Sequence, residues 1–276
     1  MDDRLGIFLS PRRFDVPFAD RMAMIRDAGF GSTCLWWEEE RPEIRSLRHL
    51  APDIVRKQGL RLDNIHVPYR WCDDLWSPKD GRRLSSVERH LRWVEDCRRH
   101  EIPVLVMHVT MGKRVPPPNA LGIDSLRRIV DAAASSGITV AIENTRSARH
   151  LEALFHAIPS SSLGLCFDTS HDVLYADPPL QLLKDWGYRL VATHLSDTDG
   201  KRDYHWLPGT GVVDFESIAA HLPDSYAGSF MLEVAPTRRD VSLADYLSKA
   251  HESALTVSRL FRSREGLHAA SAQPTD

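Results

Sequence analysis

Eight short apolar runs recur along this chain of 276 residues, and a helix-patterned stretch follows each of them. The runs are Leu5–Leu9, Ser32–Trp36, Leu62–Val67, Val104–Val109, Thr139–Asn144, Leu163–Asp168, Leu190–Leu195 and Ser229–Val234. Each is rich in Val, Ile, Leu or Phe, the pattern of parallel strands buried on both faces. Between them, Val87, Leu91, Val94 and Cys97 recur at helical spacing, as do Leu126, Ile129, Val130 and Ala133. The longest stripe runs from Leu243 through Leu247, Ala250, Ala254 and Val257 to Phe261. Gly29, Gly59 and Gly137 stand where a helix ends in the left-handed conformation before the next strand. Ser85, Asp124 and Ser242 are the expected N-caps. Eight such units in about 260 residues predict a single (β/α)8 TIM barrel of the α/β class. A doubly wound sheet would carry a glycine-rich turn after its first strand, where this chain has Ser10-Pro11-Arg12-Arg13. The barrel is expected to span 1–263, with 264–276 as a disordered tail.

Composition narrows the function classes. Apolar residues make up 42% and the formal net charge is −3, so the chain is not disordered and has no global attraction to nucleic acid. Cys34, Cys72, Cys97 and Cys166 show no close pairing, which speaks against a zinc knuckle, a redox pair or a disulfide framework. The start, Met1-Asp2-Asp3-Arg4, lacks the features of a signal peptide, and no run reaches the roughly 18 apolar residues of a membrane span. A cytoplasmic protein that uses no membrane is expected.

In a TIM barrel the chemistry sits at the C-terminal ends of the strands. Polar residues cluster there. His66 ends the third run, His108 the fourth, Glu143 the fifth, Asp168 the sixth with His171 just beyond, His194 the seventh and Glu233 the eighth. Asp203 and His205 lie in the loop after the seventh. A single histidine in a strand is more often a hydrogen-bonded core residue than a ligand. Five histidines and four carboxylates at matching ends are another matter, because buried carboxylates need pairing or a metal. Imidazole with carboxylate suits Zn2+, Mn2+, Fe2+ or Co2+ better than Ca2+. The other eight of the 13 histidines, His49, His90, His100, His150, His156, His221, His251 and His268, fall in helical or tail patterns and are expected to be solvated.

The segments Ile142-Glu143-Asn144, Phe167-Asp168-Thr169-Ser170-His171, His194-Leu195-Ser196-Asp197 and Leu232-Glu233-Val234 resemble the xylose isomerase-like TIM-barrel superfamily. So does the stretch Asp203-Tyr204-His205-Trp206-Leu207-Pro208-Gly209-Thr210-Gly211 before Asp214-Phe215, and His66-Val67-Pro68-Tyr69 with Asp74-Leu75-Trp76-Ser77. The resemblance covers about residues 5 to 260. It implies a metal-dependent sugar or sugar-phosphate isomerase or epimerase. The implied metal ligands are Glu143, Asp168, His194 and Glu233, and the implied cofactor is a divalent ion, Mn2+, Zn2+, Co2+ or Mg2+. Glu143 and Glu233 would move the proton through a metal-stabilised enediolate, and His171 would touch a substrate oxygen. The implied partner is a small sugar or sugar phosphate; a homodimer is compatible with this, though no residue demands one.

The superfamily also contains inosose dehydratases and nucleases of the endonuclease IV type. The nuclease branch binds three zinc ions, and its further ligands match His66, His108, His171, Asp203 and His205. A multinuclear zinc phosphodiesterase is therefore the alternative, with a dehydratase or a non-catalytic sugar-binding barrel as further ones. The near-neutral charge and the lack of a Lys/Arg-rich insertion tilt toward the sugar branch and away from nucleic acid.

Other features carry two readings each. Trp36, Trp71 and Trp76 could stack on a sugar or pack a loop. Arg146 could meet a phosphate or carboxylate, or form a surface salt bridge. Gly209-Thr210-Gly211 could bind phosphate or only shape the turn that presents His205. Val115–Asn119 is expected to form a stiff wall.

Overall fold

The computed structural model describes residues 2–9, 14–38, 47–111, 115–237, 239 and 242–271. Its strands are β1 (Asp2–Leu9), β2 (Phe30–Trp36), β3 (Arg61–His66), β4 (Val104–Met107), β5 (Thr139–Glu143), β6 (Leu163–Asp168), β7 (Leu190–His194) and β8 (Phe230–Val234). The helices are α1 (Phe18–Asp27), α2 (Ala51–Lys57), α3 (Asp80–Arg99), α4 (Ala120–Ser135), α5 (Ala148–Ala157), α6 (Thr169–Tyr175), α7 (Gln181–Trp186), α8 (Phe215–His221) and α9 (Leu243–Ser271). Every paired strand is parallel, and the order runs β7-β6-β5-β4-β3-β2-β1-β8. Leu195 closes the ring just past β7: its N–H donates to Met231 O at 2.8 Å and its carbonyl accepts from Glu233 N–H at 3.1 Å. Lower on that seam the Thr193 hydroxyl donates to Ser229 O at 3.0 Å, so a side chain joins β7 to β8. This is the expected single TIM barrel, with strand bounds within three residues of the apolar runs.

Strand alternation divides the buried residues into two compartments. One face of each strand meets the helices, where residues such as Ile7, Ile65, Leu105, Ile142 and Leu165 join the main core with the helix stripes. The other face fills the barrel. There Val106, Ala141, Cys166 and Ala192 pack together, and Phe8, Cys34 and Met231 form a second group. These side chains plug the interior beneath the C-terminal mouth and give the mouth an apolar floor.

Gly29, Gly59 and Gly137 adopt φ of 105°, 79° and 70°, the left-handed helix ends expected of them. Ser242 caps α9 by accepting from Asp245 N–H. Ser85 and Asp124 instead lie inside α3 and α4. The true cap of α4 is Asn119, whose Oδ1 accepts from Gly122 N–H at 2.9 Å. Its amide also donates to Trp76 O, and His150 holds Pro116 O, so the proline-rich segment is pinned to its neighbours. Helix α9 is described as far as Ser271, while residues 272–276 of the expected tail and residues 10–13 lie outside the described residues. Among the described residues no helix is long and apolar enough to cross a membrane.

Gly122 meets Trp76 so closely that a Cβ there would overlap the indole. Alanine would favour the helix by about 1 kcal/mol. The indole is fully enclosed and its Nε1 donates to Val109 O at 2.7 Å, so it cannot retreat. Gly122→Ala is therefore expected to destabilise the fold by a net of about 2 kcal/mol or more in denaturant titration.

Candidate functional site

The residues that end the strands converge on Glu143. Its carboxylate lies at the tip of β5, 1% exposed, with imidazoles on several sides. His66 Nε2 approaches Oε2 at 2.9 Å, His108 Nε2 at 3.1 Å and His194 Nδ1 at 3.3 Å, while His171 Nδ1 lies 3.0 Å from Oε1. Glu233, from β8, brings Oε2 within 2.8 Å of the same His194 Nδ1. Asp203 bridges His171 Nε2 and His205 Nε2 at 3.2 and 3.3 Å. All nine expected positions thus gather at one mouth.

The groups are held by residues that the sequence reading did not single out. Asn144 mimics a strand partner for Asp168: its Oδ1 accepts from Asp168 N–H at 2.6 Å and its amide donates to Asp168 O at 2.9 Å. Asp168 Oδ1 then caps α6 by accepting from His171 N–H at 2.7 Å, which aligns the two site residues. Thr169 and Ser170 continue the β6–β7 seam beyond the strands. The Thr169 hydroxyl donates to Ser196 O, and the Ser170 and Ser196 hydroxyls pair at 2.8 Å.

Asp197 organises the loop after β7. Its buried carboxylate accepts four backbone N–H groups: Thr198 and Val213 on Oδ1, Gly209 and Gly211 on Oδ2, at 2.8 to 3.0 Å. A Cβ on Gly211 would collide with the Thr198 carbonyl and the Asp197 carboxylate. The two glycine amides are thus committed to Asp197, which corrects the phosphate-loop reading; their part is to shape the turn. That turn also pairs Trp206 with the Asp197 backbone in both directions and presents His205 at φ 51°, a left-handed conformation uncommon outside glycine.

The aromatic candidates separate. Trp36 stacks on His66 with centroids 5.0 Å apart, and Tyr69, which the sequence reading missed as a site residue, stacks on His108 at 5.1 Å. Trp76 is wholly enclosed against Gly122 and His150, so it packs the loops and does not line the mouth. Trp71 carries the Arg89 guanidinium over its ring at 3.9 Å. Arg146 is exposed, over the Tyr175 ring at 4.5 Å. Two of the histidines expected to be solvated, His90 and His150, are buried and hydrogen-bonded to Ser86 O and Pro116 O; His268 has no described side chain.

The donor set fits a cation. His194 has both ring nitrogens buried and neither aligned for a hydrogen bond, despite its close approaches to two carboxylates and the Cys166 thiol, and Asp168 Oδ2 and Glu233 Oε2 likewise lack an aligned partner. Short contacts without hydrogen-bond alignment are what donors aimed at a shared ion show. One donor atom each from Glu143, Asp168, His194 and Glu233 lie within 4.8 Å of one another, and His66, His108 and Glu143 form another such group. His66 Nδ1 donates to Val67 O at 2.9 Å, which fixes the ring so that Nε2 faces Glu143, the orientation a metal-binding imidazole needs.

Burial disfavours charge on these groups, and pairing then decides each case. Burial would raise Glu143, but His108 and His194 outweigh it and hold the carboxylate well below its usual range. Glu233 is lowered to about 2 against its burial, by His194 and His205. Burial would lower His171, His194 and His205; neighbouring acidic groups instead hold the first two well above the imidazole range and push His205 up to about 10. Asp168 is pushed up to about 7 by burial, with Glu143 adding to it. Protons on imidazoles therefore balance the carboxylates when no cation does.

A divalent ion must displace those protons. Zn2+ or Mn2+ binding near pH 7 is expected to release about one proton or more, and to weaken as pH falls, since raised imidazole pKa values keep the rings protonated below them. Calorimetry in two buffers of different ionisation enthalpy counts the protons; an affinity unchanged between pH 6 and 8 would contradict the pairing.

A parallel barrel with imidazoles and carboxylates gathered at its C-terminal mouth defines a class, the TIM-barrel proteins with a candidate metal centre. Residues 22–254 match the profile of the xylose isomerase-like TIM barrel, and the chain belongs to that family. It is 26% identical, over 91% of its length and 92% of the other's, to an uncharacterised protein of Sinorhizobium fredii. It is 24% identical to an inosose dehydratase of Bacillus thuringiensis, over 78% of this chain and 82% of that one. In three dimensions it resembles an L-ribulose 3-epimerase with a TM-score of 0.75 and 17% identity, covering 99% of each chain.

Proposed function

We propose that this chain is a divalent-metal-dependent enzyme that moves a proton at the carbon beside a carbonyl of a sugar or related polyol, as an isomerase or epimerase. The observation that carries the reading is the convergence of Glu143, Asp168, His194 and Glu233 from four successive strands. A cation held by them would supply a Lewis acid that polarises the carbonyl and stabilises the negative charge left by C–H loss. Glu233, with an 18% exposed side chain, is the carboxylate open to the mouth and accepts the substrate proton. Glu143 is enclosed by imidazoles and serves as a fixed second carboxylate for its return. His171, whose backbone is held by Asp168 and whose ring lies between Glu143 and Asp203, would donate to a substrate oxygen by exchanging one of those ring contacts for it. Trp36 and Tyr69 offer apolar faces to sugar C–H groups and exclude water. The similarity to an epimerase structure and to an inosose dehydratase supports chemistry next to a carbonyl in this substrate class.

A second reading, a multinuclear zinc phosphodiesterase, is favoured by one observation. His66 and His108 share Glu143 Oε2, and Asp203 joins His171 to His205, so donors surround the first group on two further sides. One experiment separates the readings. Metal content of the purified protein is measured, and the protein is then tested on ketoses in deuterated water and on an abasic-site duplex. One ion with chelator-sensitive deuterium exchange at the carbon beside the carbonyl supports the first reading; three ions with strand cleavage would replace it with the second.

A further inference from the structure

Residues two apart on β6 share its inward face, which places Cys166 directly beneath Asp168 inside the barrel. Cys166 is the register partner of Glu143 on one side and of Ala192 on the other. Its Sγ, one Glu143 oxygen and one His194 nitrogen lie within 4.8 Å of one another, a donor group that shares Glu143 and His194 with the four strand-end ligands but does not include Asp168 or Glu233. The rest of its surroundings, Val106, Ala141 and Ala192, are small and apolar. A second observation points to a ligand in this space: Asp168 Oδ2 above is buried and unpartnered, and fully buried His194 has neither ring nitrogen aligned for a hydrogen bond although the Cys166 thiol lies beside it. Cys34 also packs inside the barrel, but it joins no such donor group among the described residues.

We infer that the Cys166 thiol, with Glu143 and His194, forms a metal-donor group on the floor side of the four strand-end ligands, and that it biases the site toward thiophilic divalent ions. This inference rests on the metal-dependent reading above and deepens it by naming the class of ion. Sulfur is a soft ligand that favours Zn2+, Cd2+ and Co2+, whereas an all-oxygen and imidazole set accepts Mn2+ and Mg2+ readily. Coordination forms the metal–sulfur bond and releases the thiol proton to solvent, with no change of oxidation state.

The test uses the full chain, stripped of metal and titrated with Co2+. The expected result is stoichiometric cobalt with visible d–d bands and a near-ultraviolet sulfur-to-cobalt charge-transfer band. That band is lost in Cys166→Ser and kept in Cys34→Ser. In competition titrations, Cys166→Ser is expected to lose about tenfold or more in Cd2+ affinity, while Mn2+ affinity changes by less than about twofold. Cys166→Ala provides the same readouts if the serine variant does not fold. Bound cobalt without the charge-transfer band in the wild-type protein, or a band that survives both Cys166 substitutions, would overturn the donor role while leaving the metal reading intact. Failure of the wild-type protein to bind cobalt at all would overturn both.

Discussion

Glu143→Gln is expected to reduce turnover by at least about 10³-fold, because in the proposed function one change removes a carboxylate of proton transfer and a charged donor of the metal position. The fold should survive it. Glu143 pairs with four imidazoles, and the raised pKa of His194 depends partly on its charge. With that charge gone, the rings release protons; they do not stay buried as unpaired cations. Thermal unfolding of the variant should therefore remain cooperative while metal content falls. Glu233→Gln is expected to match the loss of turnover but retain more metal, since Glu233 touches fewer donors and faces the open mouth. Steady-state kinetics beside metal analysis on both variants checks this. A Glu143→Gln variant with full activity on the true substrate would refute the proton-transfer role.

Asp197→Ala is expected to produce the largest loss of stability among single changes near the site. Four backbone N–H groups donate to that carboxylate, two of them from the Gly209-Thr210-Gly211 turn. Charge-assisted bonds contribute about 1.5–3 kcal/mol each, and buried donors left unpaired add to the cost. Even with strong non-additivity the expected loss is about 4 kcal/mol or more by denaturant titration. Asp197→Asn keeps one acceptor oxygen but replaces the other with a donor facing N–H groups, so it should fall between the two. Because Asp203 and His205 lie in the same loop, both variants should also weaken any contact made there. A loss below about 1 kcal/mol in the alanine variant would show that the loop is held by other means.

The eight strands and the ends that carry chemistry were legible in the sequence for a local reason. A strand buried on both faces must be apolar along its length, so a polar residue at its end stands out without knowledge of its neighbours. His66, His108, Glu143, Asp168, His194 and Glu233 could all be found this way. Supporting residues could not. Asn144 reads as an ordinary strand terminus until its side chain is seen pairing with the Asp168 backbone. Tyr69 and Trp76 sit in one short stretch with similar composition, yet one stacks on His108 and the other is sealed beneath the loops. Asp197 was visible only as part of a motif, and its four acceptances come from residues up to 16 positions away.

By itself, the sequence determined the architecture, the end of the barrel that carries the site, and the kinds of donor there, because strand periodicity and helix ends are set by neighbours in the chain. Tertiary structure alone decided which donors meet. It placed His66 and His108 on one oxygen of Glu143, committed the glycine amides to Asp197, and brought Cys166 under His194. Those pairings depend on strand register and on how the ring closes between β7 and β8, and both are set by packing between segments far apart in the chain.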